Sequence, residues 1–175
     1  GKDLTEAIDG IRALVPNLQQ AANVDEVMGI EGNIRQLYYS AFDVILDDYD
    51  MGFRTKQPPE NEVNALISFG NMMCYTETLK AIYNTQLNPT ISFLHSPGDR
   101  RYSLCLDVSE VFKPIIVDRV IFKVLNKRIL GKSDFDMKLN KCILSESGKK
   151  SFVKAMEDRY NETFLHRALG RNVSF

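Results

Sequence analysis

Five stretches of this chain carry apolar residues at every third or fourth position, the spacing of one face of an α-helix. A strand alternates its side chains between two faces, so such stretches cannot bury their apolar residues as strands. The spacing predicts an all-α, mainly helical fold. Leu4, Ile8, Ile11 and Leu14 mark a first helix, opened by a capping-box-like Asp3 and Glu6 and ended at Pro16. Asn23 and Glu26 repeat the start signal ahead of Val27, Ile34, Leu37, Ala41 and Ile45. A third helix, Glu60 to Gln86, buries Val63, Leu66, Ile67, Cys74 and Ile82, with Gly70 as a close-packing point and Met72 and Met73 as core filler. From Arg101 the stripe Leu104, Val108, Val111 and Ile115 marks a fourth, kinked or divided at Pro114, resumed from Val117 to Leu125 and capped by Gly131. The fifth runs through Phe152, Met156, Tyr160 and Phe164 toward Gly170. A short β-hairpin is expected near 138–147.

The connections follow from turn chemistry. Asp47 to Pro59 is a loop stiffened by Pro58 and Pro59, and Asn88-Pro89 and Ser96-Pro97-Gly98-Asp99 are breaks that leave His95 on a connector between helices. At 175 residues the chain suits one domain, expected to span 1–175. Its 44% hydrophobic and 26% charged residues exclude a disordered or fibrous class. A net charge of −1 leaves a nucleic-acid partner open, because an acidic metal site and a basic groove cancel in the sum. Cys74, Cys105 and Cys142 are scattered in apolar surroundings and read as reduced core residues. With no membrane-length apolar run and no signal-like segment, no membrane partner and a cytoplasmic location are expected.

Glu31 lies inside the apolar stripe of its own helix, where an unpaired charge is costly, so it requires a partner. Asp107 and Glu110 stand three residues apart on a helix, flanking its stripe, with His95 just upstream. Each has an ordinary reading: Glu31 in a salt bridge, His95 in a core, Asp107 and Glu110 paired to Arg100, Arg101 or Lys113. Taken together, carboxylates and one imidazole from three segments make a plausible first shell for Mg²⁺ or Mn²⁺. Zinc would bring cysteines or several histidines at close spacing, which this chain lacks. Arg54, Lys56, Arg100, Arg101, Lys127 and Arg128 are interleaved with Tyr38, Tyr39, Tyr49 and Tyr102, a mixture that suits phosphate binding and base stacking as well as an ordinary charged surface. There is no glycine-rich phosphate loop, nucleophile elbow or H-E-x-x-H.

The runs MGIEGNIRQLYY (Met28 to Tyr39) and FRTKQPPENEVNALISFGNMMCY (Phe53 to Tyr75), followed by FLH, RRYSL, LDVSEVFKP and IIVDR, resemble the CRISPR-associated endonuclease that integrates new spacers. The motifs are in order and cover nearly the whole chain. The resemblance is to the family's C-terminal helical catalytic domain, with no counterpart here of its N-terminal β-rich domain. It implies a divalent metal, Mg²⁺ or Mn²⁺, held by Glu31 of the E-G motif, His95 of the L-H motif and Glu110 on the following helix, with Asp107 as a supporting acid. It also implies cleavage of DNA and transesterification in which a 3′-hydroxyl of the foreign fragment attacks the CRISPR repeat. Partners implied are DNA, a second copy in the full-length family, and the small second-numbered Cas protein. The competing reading is a non-catalytic helical module that binds nucleic acid or protein, its acids held only in salt bridges.

Overall fold

The computed structural model describes residues 2–95 and 101–174; the expected turn at Ser96 to Asp99, and Arg100, lie outside them. The fold is mainly helical, with two small antiparallel strand pairs. Helix α1 (Thr5–Leu18) lies on α2 (Val24–Ile45), and Gly10 lets them approach, since a Cβ there would stand 3.1 Å from Leu37 Cδ1. Pro16 does not end α1, as expected, but sits inside it. It removes one N–H in an exposed last turn, and its fixed φ suits the helix. The start of α2 is built as its sequence dictates: Asn23 accepts from the Glu26 N–H at 2.9 Å, and Glu26 reaches back to the Ala22 N–H at 2.9 Å.

Helix α3 (Glu62–Tyr83) is the central element, opened by Asn61, whose side chain accepts from the Asn64 N–H. It packs beside α4 (Ser103–Lys113), which continues without a break through a π-helical turn (Pro114–Asp118) into α5 (Arg119–Asn126). Pro114 was expected to kink or divide this helix. The π-turn instead absorbs one extra residue where the proline supplies no N–H. Gly70 is the tightest point of α3: a Cβ there would fall 2.5 Å from Val117 Cγ1. Around that contact Phe42, Leu66, Ile67, Val117, Ile121, Phe152 and Met156 are fully buried, each stabilising the fold by about 1.5–3 kcal/mol. Met73 packs against this core, but Met72 is 52% exposed and is not core filler.

Two chain ends differ from expectation. The left-handed residue after α5 is Arg128 (φ 53°), with the Ile129 N–H donating to Val124 O and the Arg128 N–H to Leu125 O, both at 2.9 Å. This is a Schellman closure; Gly131 is extended and precedes the turn Lys132–Asp134. After the hairpin β1 (Phe135–Lys138) and β2 (Lys141–Leu144), α6 (Glu146–Tyr160) is opened by Ser145. It ends ten residues short of Gly170 (160 against 170). The chain forms a second hairpin there, β3 (Thr163–His166) with β4 (Arg171–Ser174), turning at Gly170 (φ 61°). Leu165 and Leu169 are 63% and 56% exposed, so no core remains for a longer helix to bury its stripe against. Among the described residues no helix is long and apolar enough to cross a membrane, and the three cysteines are free and buried.

Candidate active site

One face of α2 and one face of α4 meet over a cavity of about 520 Å³. Its walls carry Arg35 and Tyr39 from α2, Arg54 and Lys56 from the proline loop, Ser68 and Asn71 from α3, His95 from the connector, and Glu110 and Lys113 from α4. The expected acids converge through a residue the sequence reading passed over. Arg35 Nη2 donates to Glu31 one turn away and to Glu110 Oε2 at 2.7 Å. Lys113 Nζ donates to Glu110 Oε1 at 2.6 Å. Two carboxylates facing each other disfavour joint ionisation unless a cation sits with them, and Arg35 supplies that charge. Glu31 was expected to point into the interior; it is instead one-third exposed, just behind Arg35.

His95 and Asp107 form a second unit. Asp107 is buried on the first turns of α4 and accepts from the backbone N–H groups of Phe93, Leu94 and His95 at 2.9, 3.2 and 3.2 Å. His95 Nδ1 lies 2.6 Å from Asp107 Oδ1. Burial alone would raise this carboxyl, but the His95 bond and the three backbone donors outweigh it and hold it below its ordinary value. An ionised carboxylate only accepts, so Nδ1 is the donor, and in the neutral ring Nε2 carries the lone pair. Asp107 thus faces the connector rather than standing beside Glu110. Among the described residues no three His, Cys, Asp or Glu side chains meet at one point.

The charge of the cavity is one-sided. Among the described residues, Arg35, Arg54, Lys56 and Lys113 line it against a single carboxylate, Glu110. Arg54 is held by neutral acceptors, Thr55 O, Asn64 Oδ1 at 3.0 Å and Ser68 Oγ at 3.0 Å, and burial draws its pKa below the usual value. Asn71 Oδ1 is buried with no hydrogen-bond donor among the described residues. The wall therefore offers a ligand both cationic donors and one unpaired acceptor.

The family model for CRISPR associated protein Cas1 matches residues 1–158. The chain belongs to the Cas1 family. It is 46% identical over 175 residues to a protein of Thermodesulfovibrio yellowstonii named CRISPR-associated endonuclease Cas1 3, covering 99% of this chain and 54% of that relative. The solved structure of a Cas1 protein from Thermotoga maritima superposes with a TM-score of 0.85 at 42% identity, over 88% of this chain and 50% of that one. A casposase bound to its integration product shares the fold, with a TM-score of 0.81 at 21% identity over 98% of this chain and 50% of that one. The chain spans about half the length of the curated relatives it matches.

Among the described residues, the other expected basic residues do not line the cavity. The Arg101 guanidinium lies 5.5 Å from the ring centroid of Tyr102. Lys127 and Arg128 follow α5, where Arg128 pairs with Asp48 at 3.1 Å beside Tyr49. Of the six expected cations, only Arg54 and Lys56 line the cavity among the described residues. Arg35 and Lys113 had a local signal, standing four residues after Glu31 and three after Glu110, spacings that place charges on one helix face.

Proposed function

We propose that this chain is the catalytic part of a CRISPR-adaptation nuclease and integrase, acting on DNA phosphodiesters with Mg²⁺ or Mn²⁺. The observation that carries the reading is the cavity in which four cations surround Glu110 and the Asp107-oriented His95. The donor chemistry fits the metal: two carboxylates already share one cation, an imidazole keeps a lone pair on Nε2, and Asn71 offers an unpaired acceptor. Glu31, Glu110 and His95 would hold the ion. A bound divalent ion lowers the pKa of water or a sugar hydroxyl and offsets charge developing on the phosphate.

The protein's own part is placement. Asp107 fixes the imidazole tautomer, and Arg54, preorganised by neutral acceptors, is available to a phosphate without first breaking an ion pair. Lys56 extends the positive wall. In the family the substrates would be a foreign fragment with a 3′-hydroxyl and the CRISPR repeat, with a second copy and Cas2 as protein partners; residues 1–175 would act as one helical unit.

Glu31→Ala and His95→Ala are each expected to abolish Mn²⁺-dependent cleavage of DNA while leaving the helical circular-dichroism spectrum intact. Undiminished cleavage by either overturns the assignment. The Arg35 bridge favours a second reading, a non-catalytic binding module whose acids serve only in ion pairs. That reading requires cleavage and Mn²⁺ uptake to be absent from the wild type, whereas the enzyme requires about one site per chain, lost in Glu110→Ala.

A further inference from the structure

Below the charged contact between α2 and α4 lies a second contact that is buried and differently made. Tyr38 follows Arg35 by three residues on α2, and its hydroxyl donates to Asp118 Oδ2 at 2.9 Å. Asp118 closes the π-turn and is 3% exposed. Arg35 to Glu110 and Tyr38 to Asp118 are thus successive rungs between the same two helices.

The second rung depends on the π-turn. Asp118 follows Glu110 by eight residues. In an uninterrupted α-helix eight residues leave a side chain roughly 80° around the axis, pointing away from α2. The π-turn absorbs one residue, so Asp118 takes the place of a seventh residue, only about 20° from the face of Glu110. A leucine would fill the buried position at less cost to stability, since an interior carboxylate must be desolvated. What the acid adds is direction, because a hydrogen bond fixes both the rotation of α2 and its slide along the neighbouring helix.

We infer that the Tyr38–Asp118 hydrogen bond is the lock that sets Glu31 on α2 in register with Glu110 on α4, making Tyr38 and Asp118 positioning residues for the ligand pair. The relevance to catalysis rests on the function proposed above; the mechanical claim does not. Asp118 bonds to Tyr38 and feels the charges of Lys113 and Glu110 on its own helix and of Arg54 on the proline loop, with Tyr39 of α2 also within electrostatic reach. Tyr38 does not line the cavity, so its loss acts on substrate and metal only through the helices.

The test uses the metal-free chain first. Spin labels at Gln36→Cys on α2 and Val111→Cys on α4, both exposed, report the distance between the helices by pulsed electron resonance. Tyr38→Phe is expected to broaden or shift that distribution, whereas the single variant Asp118→Asn, which keeps an acceptor for the Tyr38 hydroxyl, is expected to retain the wild-type one. An unchanged distribution in a folded Tyr38→Phe overturns the lock. Calorimetric titration with Mn²⁺ then reads its consequence: affinity about tenfold weaker in Tyr38→Phe, the loss typical when support behind a ligand is removed, and near wild type in Asp118→Asn. Equal affinity in wild type and Tyr38→Phe overturns the link to the ligand pair. If the wild type takes up no Mn²⁺, the proposed function fails while the distance measurement still decides the lock.

Discussion

Asp118→Asn should change how the stability of this chain depends on pH, and the size of the change follows from where the carboxylate sits. Burial pushes the Asp118 carboxyl up from 3.8 to about 6, opposed in part by the Tyr38 hydroxyl and by the charges of Lys113 and Arg54, and reinforced by Glu110. Between those values the folded chain binds more protons than the unfolded one, so stability falls as pH rises through the window. At about 1.4 kcal/mol for each pH unit of difference, the full effect is about 3 kcal/mol, of which about 2–3 kcal/mol develops between pH 4 and 7. Asparagine has no charge to lose and still accepts from Tyr38. Its amide leaves a buried donor short of an acceptor, a cost of about 1–3 kcal/mol that does not vary with pH. Urea unfolding at pH 4, 5, 6 and 7 separates the two terms, because the other carboxylates cancel when variant and wild type are subtracted. The variant should gain on wild type by about 2–3 kcal/mol from pH 4 to 7. A difference that stays constant across the range would refute the claim that Asp118 is a desolvated, ionising group.

Gly70→Ala is expected to destabilise the chain by about 1–3 kcal/mol by overpacking, because its Cβ would fall 2.5 Å from Val117 Cγ1 and 3.3 Å from Phe152 Cζ. Gly29→Ala, with nothing within 4 Å of the new Cβ, should instead stabilise α2 by about 0.5–1 kcal/mol; urea midpoints in the reverse order would contradict the packing described. Asp107→Asn should speed amide hydrogen exchange at Phe93, Leu94 and His95, whose N–H groups it anchors, and lower Mn²⁺-dependent cleavage by about 10–100-fold. Since the Asp107 pKa is depressed, its anchoring is present above the ordinary carboxylate value and should be lost only as pH falls through the lower folded value. Unchanged exchange in the variant would show that the connector is held by other means.

The helices and the start of α2 were legible because they are local events, although α1 begins at Leu4 without the side-chain cap expected from Asp3 and Glu6. Asn23 and Glu26, or the three-and-four spacing of Val63, Leu66 and Ile67, act within a turn or two of the chain, and the structure repeats them. Where sequence reasoning failed, the deciding partner was distant or missing. Phe164 fits the stripe of α6 in spacing, yet beyond Tyr160 the core has ended, and the segment pairs with Val173 across a hairpin. Pro114 is visible as a break in the sequence, but whether a helix bends, stops or takes up a π-turn depends on what its far side must meet. At the end of that turn Asp118 meets Tyr38, eighty residues away.

The sequence by itself therefore determined a mainly helical chain, the segments that carry His95, Glu31 and Glu110, and the motifs by which the family is recognised. Only the tertiary structure decided that Arg35, already paired with Glu31, reaches Glu110 75 residues away, that Asp107 turns to the His95 connector, and that Arg54 and Lys56 share the cavity while Lys127 and Arg128 do not. The reason is range. Helix spacing and capping are fixed by neighbours within a few residues, whereas the partner of a buried or half-buried charge is whichever group the packed helices bring within hydrogen-bond reach.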